Sequence, residues 1–264
     1  GHGIVMGGGI GLMSGASHRV VTERSKLAFP EITVGLFPDV GGSWLLPRVP
    51  GNGGRFLALT GALLNPGDAL FAGLADLHVA ESHRGDVLDA LLAAGWEADC
   101  NANHHHLTTV LQRFASEAAP GPLQRNAGLV DVLCDGDDLQ KIVDRITAME
   151  SEDAWLQAAQ KTLAAGAPGS ARLAFALQAR CADESLADVY RLEYVAALHC
   201  AAHGDFAEGI RALLVDKDRT PHWNPATLSD ASAAWAEDFF ISPWPADQHP
   251  LADLEATTPE RTPA

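Results

Sequence analysis

Apolar and polar positions change their rhythm along the chain. Up to about residue 90, short apolar runs alternate with Gly, Pro and polar clusters: "GIVMG", "HRVVTE", "KLAFPEITVGLFPDVGG" and "LADLHVA" read as short strands and loops. Between them "GGRFLALTGALL" is apolar at near-helical spacing. The stretch "NPGDALFAGLADLHV" reads as a short helix, opened by Asn65-Pro66 and closed by Gly73, that feeds a strand. Alternating helices and strands predict a layered α/β core.

From about residue 120, Gly becomes sparse and Ala/Leu-rich segments with helical periodicity take over. In "DDLQKIVDRITAME" the residues Leu139, Ile142, Val143, Ile146 and Met149 share one helical face. "SLADVYRLEYVAALHCAAHG" opens with Ser185 and Asp188 at capping-box spacing and ends at Gly204, and "DFAEGIRALLV" restarts with Asp205 and Glu208 at the same spacing. The pattern therefore divides the chain into an α/β core over 1–95, a helical region over 96–244 and a flexible tail over 245–264, rich in Pro, Ala, Thr and acidic residues.

Composition narrows the partners. With 264 residues, 47% of them hydrophobic and 20% charged, the chain has the make-up of a globular protein. Its 34 acidic against 18 basic residues give a formal charge of −16, which repels phosphate backbones, and there is no basic stripe interleaved with aromatics, so nucleic acid is not an expected partner. A small polyanion needs only a few oriented amides and is not excluded by that charge. The four cysteines, Cys100, Cys134, Cys181 and Cys200, form no C-x-x-C pair, which argues against a zinc site or a disulfide framework and for a reducing compartment. No basic leader opens the sequence, and no run approaches the ~18 apolar residues of a membrane span. The expectation is a cytoplasmic protein without a membrane partner.

The candidate chemistry begins at "GHGIVMGGGIGL", where Gly7, Gly8 and Gly9 stand between an apolar run and a helix. Backbone there can approach a ligand closely and aim N–H groups at an anion or oxyanion. A Walker A loop would need Lys followed by Ser or Thr where Ile10-Gly11-Leu12 stands, and the dinucleotide fingerprint needs another glycine spacing. A turn tightened only for packing is the alternative. In "FPEITVGLFPDVGG" two Phe-Pro pairs each precede a carboxylate, Glu31 and Asp39. The apolar setting of Glu31 disfavours its charged form and moves its pKa toward that of a useful base or nucleophile. Asp39 fits two readings equally, a catalytic carboxylate or the cap of a helix through "SWLLPRV". The triplet His104, His105 and His106 has no carboxylate at ligand spacing and reads as a solvated loop, not a metal site. His2, His18, His199 and His203 read as packing or surface residues.

The combination of "GIVMGGGIGL", "FPEITVGLFPDVGG" and "LPRVPGNGGRFLALTGALLNPGDALFAGLADLHV" resembles the crotonase superfamily of acyl-CoA enzymes. Within it the chain is most similar to the 3-hydroxyisobutyryl-CoA hydrolase family, on "GLFPDVGG" and the C-terminal "YRLEYVAALHCAAHGDFAEGIRALLVDKDRTPHWNPATL". The resemblance implies a crotonase-like α/β core of ββα spiral type with a helical C-terminal region. It implies hydrolysis of the thioester of 3-hydroxyisobutyryl-CoA, or a similar short 3-hydroxyacyl-CoA, to free acid and CoA, as in valine breakdown. Gly8 would donate its N–H to the thioester oxygen, Glu31 would attack the thioester or activate water, and Asp39 would position substrate or water. Gly7, Gly8, Gly9, Glu31 and Asp39 together would line the substrate. An anhydride intermediate and general-base catalysis both remain open.

No metal or redox cofactor is implied, CoA being part of the substrate. An enoyl-CoA hydratase or isomerase of the same fold is the alternative, but a hydratase carries a further glutamate two residues after the glycine triplet, where this chain has Gly11. The resemblance also implies a segment ahead of the glycine turn that supplies the other oxyanion donor and much of the CoA pocket, so the core is expected to be N-terminally incomplete. A non-catalytic acyl-CoA-binding or assembly remnant is thus a second alternative. Relatives often form trimers, while these helices could instead fold over their own subunit, so a homo-oligomer is compatible with the sequence.

Overall fold

In the computed structural model, which describes residues 1–254, strands are few and short and helices cover them. Strand β1 (Ile4–Met6) is followed by helix α1 (Gly8–Ser14), β2 (Val20–Val21) and β3 (Lys26–Ala28). β1 lies parallel to β3, with Val5 opposite Leu27. β2 lies parallel to a later strand, β4 (Leu77–His78). Parallel pairing requires a crossover, and α1 lies in the connection from β1 to β3. Helices α2 (Gly42–Leu45), α3 (Gly53–Thr60) and α4 (Pro66–Phe71) lie between β3 and β4.

Local sequence signals set many of the boundaries. At α4 the Asn65 side chain accepts from Asp68 N, Pro66 holds the first helical position, and Gly73 follows with φ +67°. The helical region consists of α5 (Arg84–Ala93), α6 (Cys100–Gln112), α7 (Pro122–Arg125), α8 (Ala127–Leu133), α9 (Leu139–Thr147), α10 (Ala154–Ala165), α11 (Pro168–Cys181), α12 (Leu186–Ala202), α13 (Asp205–Ile210) and α14 (Ala233–Glu237). α9 buries Leu139, Ile142 and Ile146, the face expected from their spacing. α12 starts at Ser185, whose side chain accepts from Asp188 N. None of the helices among the described residues is long and apolar enough to cross a membrane. All four cysteines are free, and Cys134, Cys181 and Cys200 are buried.

Some expectations change. His104, His105 and His106 lie within α6 rather than in a loop, because Asp99 accepts from Asn101 N and Ala102 N and starts a helix there. Asp205 does not cap α13: Gly204 occupies that position, and the Asp205 carboxylate accepts from Asn224 N at 2.7 Å. Residues 245–254, expected as part of a flexible tail, are tied to α12. Arg191 donates from Nε to Leu251 O at 2.9 Å, and His249 Nε2 lies 3.2 Å from Arg191 O. The rest of that tail, 255–264, lies outside the described residues.

The core does not divide near residue 95. One cluster of buried side chains runs from Val5 and Phe29 through Phe56 to Leu177, Val189 and Phe239. Phe56, fully buried, meets the Trp155 ring at 5.3 Å, and Trp155 Nε1 donates to Leu63 O. A buried aromatic of this kind contributes ~1.5–3 kcal/mol, so the helical half is part of what stabilises the first half.

Candidate active site

The glycine turn is fixed from both sides. Gly7 N donates to Ala28 O at 3.1 Å, which ties the end of β1 to β3. Gly7 has φ +50° and ψ −123°, a conformation that side chains oppose, and a Cβ there would stand 2.6 Å from Glu31 Oε1. Helical bonding begins at Ile10 N, which donates to Gly7 O at 2.8 Å. Gly8 and Gly9 form the first turn of α1, where N–H groups have no acceptor within the helix and the backbone dipole is positive. The turn lies against the carboxylate of Glu31.

That carboxylate, Glu31, is 6% exposed and opens a 3₁₀ turn over Glu31–Val34, just after β3 and Phe29-Pro30. Gly35, at φ +73°, ends the turn by donating its N–H to Glu31 O. Burial pushes the Glu31 carboxyl up to about 8; its own backbone N–H works the other way, and the charges of Asp39 and Glu193 push it further up. Its Oε2 is buried and has no hydrogen-bond partner. A buried, unpartnered carboxylate oxygen costs stability and has its lone pairs free to react.

Asp39 is half-buried, and burial raises its carboxyl above the ordinary range. It begins a tight turn in which Gly42 N donates to Asp39 O at 2.9 Å, with Val40 at φ +54° and Gly41 at φ +82°. A β-branched residue in the left-handed region is strained, and such strain persists only where surroundings enforce it. The helix-cap reading of Asp39 fails. The cap of α2 is Gly41, with no side-chain bond to the helix from its own segment. Its orphan donors are met from elsewhere: Gly41 N donates to Glu193 Oε2 at 2.8 Å and Ser43 N to Glu193 Oε1 at 2.9 Å.

Glu193 lies on α12 and is 3% exposed. Burial raises its carboxyl to about 7, the N–H groups of Gly41 and Ser43 oppose the rise, and the Asp39 charge adds to it. Sequence reasoning did not single it out. A signal was there: Val189, Glu193, Ala196 and Cys200 recur at helical spacing, so the acid stands in a stripe of otherwise apolar, buried positions.

The Asp39 turn also meets α1. A Cβ on Gly11 would stand 2.5 Å from Val40 O and 2.6 Å from Val40 Cγ1. Gly7, Glu31, Val40 and Gly11 thus bring the glycine turn and both acidic segments together. The histidines lie elsewhere. His18 Nε2 and Thr108 Oγ1 are 2.7 Å apart, and His199 bonds His203 and Ile241 O. Among the described residues no group of His, Cys, Asp or Glu is arranged to hold a metal ion. A concavity between α11, α12 and α14, lined by Ser170, His203, Asp205, Asn224 and Trp235, includes neither Glu31 nor Asp39.

Parallel strand pairs crossed by helices, a glycine turn on a buried glutamate and a long helical C-terminal region define a crotonase fold. The family model described as enoyl-CoA hydratase/isomerase matches residues 1–240, and the chain belongs to that family. It is 36% identical over 242 residues to the mitochondrial 3-hydroxyisobutyryl-CoA hydrolase of Danio rerio, covering 91% of this chain and 63% of that protein. The chain thus spans a little under two thirds of the length of the curated relatives it matches. Among solved structures it is similar to a carnitinyl-CoA dehydratase from Mycobacterium thermoresistibile, with TM-score 0.82 and 32% identity over 95% of this chain and 68% of that one. It is also similar to an enoyl-CoA hydratase from Rhodobacter sphaeroides 2.4.1, with TM-score 0.78 and 33% identity over 91% and 66% of the two chains.

Proposed function

We propose that this chain carries the catalytic groups of an acyl-CoA thioester hydrolase acting on 3-hydroxyisobutyryl-CoA or a similar short 3-hydroxyacyl-CoA. The thioester oxygen is received by the Gly8 N–H at the start of α1, with Gly7 and Gly9 shaping the approach. Ionised Glu31 then works through its unpartnered Oε2. It either attacks the carbonyl carbon, expelling CoA thiolate and leaving an anhydride that water opens, or takes a proton from the water that attacks. Asp39 orients water or the substrate hydroxyl beside it. These steps use no metal or redox cofactor; CoA enters and leaves as part of the substrate.

One observation carries the choice of hydrolysis over hydration. A hydratase would need a second glutamate at position 11, and the space a side chain would take there is filled by the backbone and side chain of Val40. The second carboxylate near Glu31 is instead Asp39, the neighbour of Val40. The names of the similar curated proteins support the same substrate. A role in valine breakdown, a cytoplasmic location and assembly with further copies of the chain belong to this reading. The similar proteins are named as mitochondrial, so cell fractionation is the check on location.

The test is to supply 3-hydroxyisobutyryl-CoA and a short enoyl-CoA in parallel, following free thiol and loss of the conjugated double bond. Thiol release from the hydroxyacyl-CoA without consumption of the enoyl-CoA is expected. Consumption of the enoyl-CoA without thiol release would assign a hydratase.

A further inference from the structure

We propose that Glu193 is a positioning residue for the thioesterase reaction: it holds the Asp39 turn in register with Glu31 by gripping two backbone N–H groups from a helix far along the chain. This role rests on the thioesterase reading and adds a residue that the reading does not use. The bonds from Gly41 N and Ser43 N take both oxygens of the Glu193 carboxylate, at 2.8 and 2.9 Å, and so fix the orientation of the segment immediately after Asp39. That segment resists its conformation, since Val40 sits at φ +54°. A strained turn with no side-chain cap of its own needs an external restraint, and Glu193 supplies it.

The restraint is rigidly mounted. Glu193 stands in the buried stripe of α12, which packs on α2 and whose N-terminus is capped by Ser185. The hydrogen bonds of Glu193 go to the turn after Asp39, so its grip acts on turnover through Asp39 and Val40, while its charge separately raises the Glu31 carboxyl. Other groups near the grip are Tyr190, whose hydroxyl would lie 3.3 Å from a Cβ on Gly41, and Cys181, whose thiol feels the Glu193 charge. Neither receives the Gly41 or Ser43 N–H.

Replacing the carboxylate by an amide of the same shape sets one NH₂ against a backbone N–H, which loosens the turn without opening a cavity. The experiment uses the full chain as parent, Glu193→Gln, Asp39→Asn and the double variant, with Glu193→Asp as a second, charge-retaining probe. Amide hydrogen exchange over 39–43 is read together with kcat and KM for 3-hydroxyisobutyryl-CoA hydrolysis.

The expected result is faster exchange at Gly41 and Ser43 in Glu193→Gln, and a fall in kcat of ~10- to 100-fold with little change in KM. At a pH above the titration of Glu31, where the charge of Glu193 no longer alters its ionisation, the same change should add almost nothing in the Asp39→Asn background, because the grip acts through Asp39. Glu193→Asp, which keeps the charge but is one methylene shorter, should recover part of the loss. Unaltered exchange, or a kcat loss that multiplies with that of Asp39→Asn at that pH, would overturn the proposal. If the parent hydrolyses no acyl-CoA, the functional reading falls, and exchange alone then decides whether Glu193 holds the turn.

Discussion

The two acidic segments of the site differ in how their turns are made. Glu31 starts from local signals: β3 delivers it, Pro30 precedes it, and a 3₁₀ turn closed by Gly35 follows, with the helical half packed on that turn. Asp39 is placed from a distance, through a strained turn, by a carboxylate on α12 and by the packing of Val40 on Gly11. Both segments lean on the helical half, the Glu31 turn through packing on α13 and a bond from Ala167 N to Ile32 O, the Asp39 turn through a side-chain carboxylate of α12. The helices beyond residue 95 are thus part of the site's architecture as well as its cover.

The largest expected effect comes from the Glu31 side. Glu31→Gln should lower hydrolysis by ~1000-fold or more while the fold, followed by circular dichroism and thermal melting, is retained. Its pH dependence follows from burial. With the carboxyl at about 8, the ionised form that acts grows as pH rises, so kcat/KM should climb up to about pH 8. Stability runs the other way: the folded state binds the proton more tightly than the unfolded chain, whose carboxyl titrates near its ordinary value of 4.5. The contribution is therefore present below that value and is lost as pH rises toward about 8, by a few kcal/mol. Glu31→Gln should flatten this slope in denaturation series at several pH values.

A smaller effect should come from the contact that joins the two segments. Gly11→Ala places a methyl against Val40 O, where no flexible side-chain end can yield, and should cost ~1–3 kcal/mol in unfolding experiments as well as turnover. Full activity and an unchanged melting point would show that Val40 is not wedged against α1. Smaller again, Asp39→Asn should lower turnover by ~10- to 100-fold with unchanged or slightly higher thermal stability, since Asp39 caps no helix and carries a disfavoured charge. A matching loss of stability would mean that the aspartate supports the turn after all. At the low end, His105→Ala and His106→Ala, on the exposed side of α6, should shift stability by no more than ~0.5 kcal/mol and leave hydrolysis unaltered.

The same contrast explains what can be read from the sequence. The Asn65 and Ser185 caps are legible because capping acts over a few residues, and the burial of Glu31 is legible from its apolar neighbours. The buried face of α9 is legible from periodicity. Glu193 is not, because its partners Gly41 and Ser43 are about 150 residues away and no local rule links them. Asp205 misleads for a related reason: Asn224 N, from a loop that folds back, takes the carboxylate that the local spacing assigns to the helix start. His104 to His106 pass for a loop because Asp99, the cap that starts α6, is inconspicuous beside a polar run.

The most direct measurement is release of free CoA thiol from 3-hydroxyisobutyryl-CoA by the chain and by its Glu31→Gln variant, at matched folded concentration near pH 8. Rapid release by the parent and almost none by an equally stable variant is the expected result. Equal release by both would remove Glu31 from the chemistry, and with it the thioesterase site built around its buried carboxylate.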